Sequence, residues 1–367
     1  MRAIRFILLM GMVSLLGDIV YEGARSVIGP YFATLGVSAL TLGLVVGFSE
    51  FAGYGLRLLS GYFVDRSGRY WLATFLGYSM ILAIPLLAFT KDWRIAALLI
   101  VLERLGKGIR SPARDTILSF ATESVGRGFG FGIHEALDQV GAFLGPIIMF
   151  SALYLGMGYG EGFLIMILPA LLLIAFLSYA WIQIPNPRVF EREDSKAEGI
   201  FWPYVLFVFL SVAGFVNFQL LSYNMKVEGL VSDDLVPILY ALAMGVDAIF
   251  ALMIGKLYDR IGFRVLLLIP VFTLLLPLGF LIPFAVLIYG SVMAMHETVM
   301  RSAVADITEV KKRGTAYGIL NLSYGLGSFL GSALVGYLYE ISLGYVWMYV
   351  IVVEILAMLV LIFLIQR

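Results

Sequence analysis

An all-helical polytopic membrane fold, with twelve transmembrane helices in two pseudo-symmetric six-helix bundles, is the class this sequence predicts, and three observations carry it. Of 367 residues, 61% are hydrophobic and 14% charged, with a mean hydropathy of +0.97. Soluble domains hold apolar usage nearer ~45–50%. Apolar stretches of about 17–25 residues, the length that crosses a bilayer, recur along the whole chain. Finally, the charged turn Gly61-Tyr-Phe-Val-Asp65-Arg66-Ser-Gly68-Arg69 returns as Gly255-Lys-Leu-Tyr-Asp259-Arg260-Ile-Gly262-Phe263, each copy between two apolar stretches. Asp65 to Asp259 is 194 positions, about half the chain, so a bundle is written twice.

The spans follow in order. Span 1, 6–33, carries Asp18, Glu22 and Arg25 and has no early small-residue cleavage site, so it reads as a spanning helix and not a signal peptide. Span 2, 38–62, runs into the first charged turn, and span 3, 71–90, leaves it. Span 4, 95–118, ends in Arg110-Ser111-Pro-Ala-Arg-Asp115, and span 5, 128–155, opens with Arg127-Gly128-Phe-Gly-Phe-Gly132. Span 6, 161–183, stops at Pro185-Asn-Pro and a charged run to Gly199, the one linker-like stretch. Spans 7, 8 and 9, at 201–224, 234–257 and 264–282, flank the second turn. Span 10, 285–308, ends in Arg301-Ser302-Ala-Val-Ala-Asp306, repeating the end of span 4. Span 11, 314–340, opens with Arg313-Gly314-Thr-Ala-Tyr-Gly318, repeating span 5 through Gly141-Ala-Phe-Leu-Gly145 and Gly327-Ser-Phe-Leu-Gly331. Span 12 is 344–365. The expected organisation is a bundle at 1–184, a cytoplasmic linker at 185–200 and a bundle at 201–367.

Placing the amino terminus inside puts sixteen basic residues on the cytoplasmic side, Arg66, Arg69, Arg260 and Lys311 among them, against Lys91, Arg94 and Lys226 outside. Such a bias predicts a protein integral to the cytoplasmic membrane with both termini cytoplasmic. The 25 basic and 25 acidic residues balance, so bulk charge does not favour nucleic acid. No cysteine is present, which removes disulfides and thiolate chemistry. Enzyme readings fail: His296-Glu297-Thr-Val-Met300 has methionine where a zinc-protease helix needs its second histidine, and the chain has only two histidines. No Gly-x-x-x-x-Gly-Lys-Ser/Thr phosphate loop occurs. No cofactor and no metal are expected, and the chain is expected to work as a monomer.

Ionisable groups within hydrocarbon cost on the order of 2.5–3.5 kcal/mol each even on lenient scales, so they normally face a polar cavity. Asp18, Glu22 and Arg25 share one helical face at i, i+4 and i+7. Glu103, Lys107, Arg110 and Arg114 repeat the spacing in span 4 beside Arg104, and span 5 adds His134, Glu135 and Asp138. Span 2 adds Glu50 and Arg57, span 8 Asp247, and span 10 His296, Glu297 and Arg301. Embedded acids outnumber embedded bases, and a carboxyl lacking a fixed counter-ion is what a proton carrier requires. Asp138 and Glu135 are the preferred proton sites, with His134 one turn from Asp138, and Asp18, Glu22 and Glu103 are the reserve. Permanent ion pairs holding helices together are the competing explanation for any one of them. The second half is less charged. Asn217, His296, Glu297 and Arg301 there, with Arg25, Lys107 and Arg110 in the first half, are the candidate substrate contacts.

The repeated Gly-x-x-x-Asp-Arg-x-Gly turn resembles the signature between helices 2 and 3, and again 8 and 9, of the major facilitator superfamily. That resemblance implies the two-bundle fold, alternating access, and a cytoplasmic gate at Gly61, Asp65, Arg66, Gly68 and Arg69, with Asp259 and Arg260 in the second copy. Arg104-x-x-x-Gly108 resembles the family's span 4 motif, whose arginine is associated with proton transfer. Gly141-x-x-x-Gly145-Pro146 resembles in part the span 5 motif of the family's proton antiporters, departing from it at Met149 and Phe150. The function expected is secondary active transport of a small molecule with a proton as coupling ion, in the export direction. Proton- or sodium-coupled uptake of a polar or anionic nutrient is the alternative. A receptor or lipid flippase on the same scaffold is a third.

Overall fold

The computed structural model describes residues 2–122, 127–184, 201–307 and 313–366. Every regular element among them is helical, and a helix satisfies its backbone groups internally where no water can. The first is α1, Arg2–Arg25, which resumes after a two-residue turn as Ile28–Thr34. Then come α2 Ala39–Ser67, α3 Tyr70–Phe89, α4 Trp93–Thr122, α5 Arg127–Tyr154 and α6 Tyr159–Gln183. The second series is α7 Phe201–Val227, α8 Leu235–Ile261, α9 Gly262–Phe280, α10 Val286–Ile307, α11 Arg313–Ile341 and α12 Leu343–Ile365. Ten of these segments are long and apolar enough to cross a membrane. The other two are α4, which carries Glu103, Arg104, Lys107, Arg110 and Arg114, and α10, which carries His296, Glu297 and Arg301. The expected linker lies outside the described residues.

Contacts divide the chain into two compact units. One comprises Met1–Ile28, Gly55–Glu191 and Asp233–Ala241, the other Gly29–Tyr54, Arg192–Ser232 and Leu242–Arg367. This partition differs from the sequence halves by an exchange of segments, and the exchange has a physical basis. The first half of α2 lays Gly43 and Gly47 against the backbone of Ser332 and Phe329 in α11, and Gly336 of α11 lies on the backbone of Ala39 and Leu40. In the other direction, the start of α8 delivers Tyr240 to a carboxylate of α1.

Within each unit the repeated sequences build the same joint. In the first, a Cβ on Gly145 of α5 would meet the carbonyl oxygen of Ile19 and the backbone of Gly23 in α1. In the second, a Cβ on Gly331 of α11 would meet the carbonyl oxygen and Cα of Ala213 in α7. Helices in lipid gain from such close backbone approach because dispersion, not water exclusion, holds them together. The first helix of each repeat is also interrupted, α1 at Ser26 and Val27 and α7 between Ala213 and Phe218. At the break in α7, Asn217 caps the second segment by accepting a hydrogen bond from Leu220 N at 2.9 Å.

The charged turns are equivalent in backbone as well as sequence. Gly68 has φ +66° and Gly262 φ +60°, a left-handed conformation that side chains other than glycine enter at a cost of roughly 1–2 kcal/mol. Gly61 packs 3.6 Å from Pro112 of α4, and Gly255 packs 3.5 Å from Thr298 of α10, each distance measured to an ideal Cβ.

Replacing Gly145 by Val forces α5 from α1 and is expected to destabilise the first unit by about 1–3 kcal/mol or more. Gly55, which has open space where a Cβ would lie, is expected to accept Ala with little change. Thermal melting of the two variants in detergent makes the comparison.

Candidate functional site

In the first unit the charges of α1 and α4 converge on one aromatic ring. Tyr21 is buried, with Arg104 Cζ 4.0 Å and Lys107 Nζ 4.1 Å from its ring centroid. Arg25 completes the set, donating from Nη1 to the Tyr21 hydroxyl at 3.0 Å. The electronegative face of a phenol ring attracts cations by about 0.5–2 kcal/mol each, more when desolvated. Three like charges are thereby held close together by one neutral side chain. The surrounding acids complete the balance: Glu22 Oε1 lies 3.7 Å from Arg25 Nη1, and its Oε2 accepts a 2.6 Å hydrogen bond from Tyr240. Glu103 lies 3.9 Å from Arg104 and 3.8 Å from Arg110, while Arg110 stacks 4.7 Å from the Tyr78 ring centroid. Asp18 is half-buried, with Asp138, Lys107, Glu22 and Arg110 as electrostatic neighbours.

These ion pairs share a trait. At 3.7–3.9 Å they are longer than charge-assisted hydrogen bonds, which form at about 2.7–2.9 Å. Charges at this range neutralise one another without being locked in a single geometry.

Asp138 and His134 sit one turn apart on α5, with His134 Nδ1 3.7 Å from Asp138 Oδ2. Both Asp138 Oδ1 and His134 Nε2 are buried and make no hydrogen bond. Glu135 is exposed and has Gln139 Nε2 3.5 Å from its Oε1, so it stands outside the Tyr21 cluster. Arg114 bonds Ser14 Oγ at 2.9 Å and Asp115 Oδ1 at 2.8 Å, tying α4 to α1 beyond the cluster.

The second unit builds a smaller and more aromatic site. Tyr54, His296, Glu297, Asn321 and Tyr324 line a small pocket with apolar neighbours from α7, α10 and α11. His296 is buried, with Nδ1 3.3 Å from the Tyr324 hydroxyl and its ring centroid 5.1 Å from that of Phe215 at the α7 break. Tyr54 and Tyr324 rings lie 5.0 Å apart, and Glu50 and Glu297 are electrostatic neighbours of Tyr324. Asn217 has both its polar atoms engaged, capping α7 and donating to Ser332 Oγ at 2.8 Å. Its amide is committed to holding the break. Among the described residues no group of three or more histidines and carboxylates could hold a metal ion.

Of the turn residues, Arg66, Arg69 and Arg260 are exposed, and Arg66 donates to the Tyr62 hydroxyl at 3.1 Å. The side chains of Asp65, Asp259 and Arg301 lie outside the described residues. Sequence reasoning did not single out Tyr21, Tyr78, Tyr240 or Tyr324. For Tyr21 a signal existed, since it precedes Glu22 and stands four residues before Arg25. For the others the partner lies on another helix.

An all-helical chain with repeated halves, interrupted first helices and membrane-embedded charges has the architecture of a secondary transporter. The family model of the Major Facilitator Superfamily matches residues 7–295 and 231–367, and the chain belongs to that superfamily. It is 37% identical to an uncharacterized protein of Mycobacterium tuberculosis over 98% of this chain and 92% of that one. It is 29% identical to an uncharacterized MFS-type transporter of Methanocaldococcus jannaschii, over 97% and 94%. Its fold matches the nucleoside transporter NupG with a TM-score of 0.75 at 14% identity, covering 99% of this chain and 99% of that one. The match to a peptide transporter, POT, has a TM-score of 0.77 at 15% identity, covering 98% and 93%.

Tyr21→Leu removes the ring and hydroxyl that gather Arg25, Arg104 and Lys107, and is expected to lower transport at least ~10-fold. Tyr21→Phe keeps the ring and is expected to lose much less. Uptake or efflux rates in vesicles of equal protein content separate the two, with melting temperature as the folding control.

Proposed function

We propose that this protein is a proton-coupled secondary transporter that exports a small molecule by alternating access, with Asp138 as the principal proton site. The observation that carries the reading is the state of the Asp138 carboxyl. One oxygen faces His134 at 3.7 Å, and the other is buried without a hydrogen bond. A carboxyl so placed can take up and release a proton without breaking a fixed pair, and Asp18 and Arg114 are both within its electrostatic reach. Asp18, Lys107, Glu22 and Arg104 then form the array that senses the change. Arg25 and Lys107 in the first unit, and His296 and Glu297 in the second, are assigned to substrate. Asn217 is not, because its amide is occupied. The export direction rests on the partial antiporter motif at Gly141, Gly145 and Pro146.

A second reading has its own support. Three cations gathered on Tyr21 suit an anionic substrate group, and coupled uptake of an organic anion would use Arg25, Arg104 and Lys107 directly. In either reading the protein acts as a monomer in the cell membrane with its termini inside. The Gly61–Arg69 turn and its second copy at Asp259 and Arg260 serve as the gate.

Asp138→Asn is expected to retain substrate exchange between equal pools while losing accumulation driven by a pH gradient. Glu135→Gln is expected to keep both, because its side chain is exposed and the amide can still accept from Gln139. Gradient-driven accumulation surviving in Asp138→Asn would transfer the proton site to Asp18, Glu22 or Glu103. For the gate, Gly68→Ala strains the left-handed turn and is expected to shift the balance of the two access states. Labelling of single cysteines introduced into this cysteine-free chain reads the shift, and an unchanged labelling pattern contradicts the gate assignment.

A further inference from the structure

The most apolar span of the protein, α12, carries a carboxyl in its middle. Glu354 is fully buried, and neither of its oxygens has a hydrogen-bond partner. Among the described residues no cation pairs with it. Its Oε1 lies over Gly214, where a Cβ would collide with it, and its Cδ and Cγ would stand 3.0 and 3.2 Å from such a Cβ. Gly214 is the first residue of the break in α7. The turn preceding the break has its own hydrogen bonds: Gly214 N donates to Leu210 O at 3.0 Å, and Phe215 N to Val212 O at 3.2 Å. Ala213 O accepts from the Tyr349 hydroxyl of α12 at 3.0 Å. Ser211, within the same turn, is also fully buried with its hydroxyl unpartnered.

Among the described residues, burial is what acts on this carboxyl. The helices packed on α12 are α7, α9 and α11. On α7, Tyr204 is bonded to Met300 O at 2.6 Å. On α9, Arg264 is exposed. On α11, Tyr339 donates to Asn224 Oδ1, Glu340 accepts from Leu40 N, and Tyr324 belongs to the His296 pocket. Tyr317 is an electrostatic neighbour of Tyr204, and Tyr337 is exposed. Tyr349, on α12 itself, has Glu354 as an electrostatic neighbour.

We infer that Glu354 is a second proton-binding site, held as the neutral acid against Gly214, and that proton loss there is tied to movement of the α7 break. A carboxylate in hydrocarbon needs a cation, a donor or water, and among the described residues neither a cation nor a hydrogen-bond donor faces Glu354. The anion can therefore form only when the contact with Gly214 opens and admits a partner. Release of the proton leaves the carboxylate pair of electrons on Glu354 and passes H⁺ to water entering at the break. Binding reverses the step and reseals α12 on α7. Because the first segment of α7 joins α11 and the second is capped by Asn217, a bend here repositions Phe215, whose ring lies against His296 and Tyr289. The inference builds on the proposed proton coupling but does not involve Asp138.

Infrared difference spectroscopy of the purified full chain, titrated from neutral to alkaline pH, tests it without needing the substrate. The wild-type protein is expected to show the carbonyl stretch of a buried protonated carboxyl that disappears on alkalinisation, and Glu354→Gln is expected to remove that component. Gly214→Ala, which leaves the carboxyl in place chemically but displaces it, is expected to shift the same band, and it carries the test where Glu354→Gln does not fold. A difference spectrum unchanged in Glu354→Gln, or in Gly214→Ala if that variant alone folds, overturns the inference. So does loss of the band on adding sodium at constant neutral pH, which would make this a sodium site. Asp138→Asn is expected to keep the Glu354 band, so failure of the Asp138 assignment and failure of this one are read separately.

Discussion

The cation cluster on Tyr21 is the interaction from which the first unit takes its organisation. Lys107 and the guanidinium groups of Arg25 and Arg104 cannot be brought together inside a membrane protein unless something disperses their mutual repulsion. The phenol ring does this by offering its face to Arg104 and Lys107 and its hydroxyl to Arg25. Glu22, Glu103 and Asp18 then supply the opposite charge from α1 and α4. Because the pairs of Glu22 with Arg25 and of Glu103 with Arg104 and Arg110 sit beyond hydrogen-bond range, a small displacement of α1 against α4 redistributes partners without leaving a charge wholly uncompensated. A transporter needs that tolerance, since each cycle must move helices whose charges remain buried.

The second unit uses the same joint with different chemistry. Gly331 on Ala213 repeats Gly145 on Ile19, yet beside it stand His296, Tyr324 and Phe215 where the first unit has arginines. Duplication preserved the backbone contacts, which depend on small residues at fixed spacing. Side chains facing polar space were free to diverge. The break in α7 is the clearest consequence: Asn217 caps the second segment, the Glu354 carboxyl covers Gly214, and Phe215 reaches His296.

Much of this was legible in the sequence. Ten of the twelve span positions followed from apolar length, and the repeated Gly-x-x-x-Asp-Arg-x-Gly pattern marked two turns whose glycines, Gly68 and Gly262, share the left-handed conformation. The spacing of Asp18, Glu22 and Arg25 correctly put them on one face. Less legible were contacts whose partners lie far along the chain, such as Tyr240 with Glu22 across 218 positions, because periodicity within a helix says nothing of which helix it meets. Asn217 looked like a substrate ligand for the reason it is a good cap: a short amide in an apolar run must bond to something, and here that is the chain itself. Glu135 and Asp138 differ by roughly 60° around α5, enough to leave one exposed and bury much of the other. Glu354 attracted no notice because a lone acid in the most apolar span has no neighbouring charge to form a pattern with.

Proton-coupled export makes substrate movement and proton movement one event. Inside-out vesicles containing the protein, acidified within and reporting through a pH-sensitive dye, can be offered lipophilic cations, antibiotics, sugars and organic anions in turn. Proton-coupled export predicts that one class dissipates the gradient in proportion to its own entry, and only in vesicles that carry the protein. Entry of a substrate at the same rate and extent with and without the gradient, and with no dye response, would contradict it.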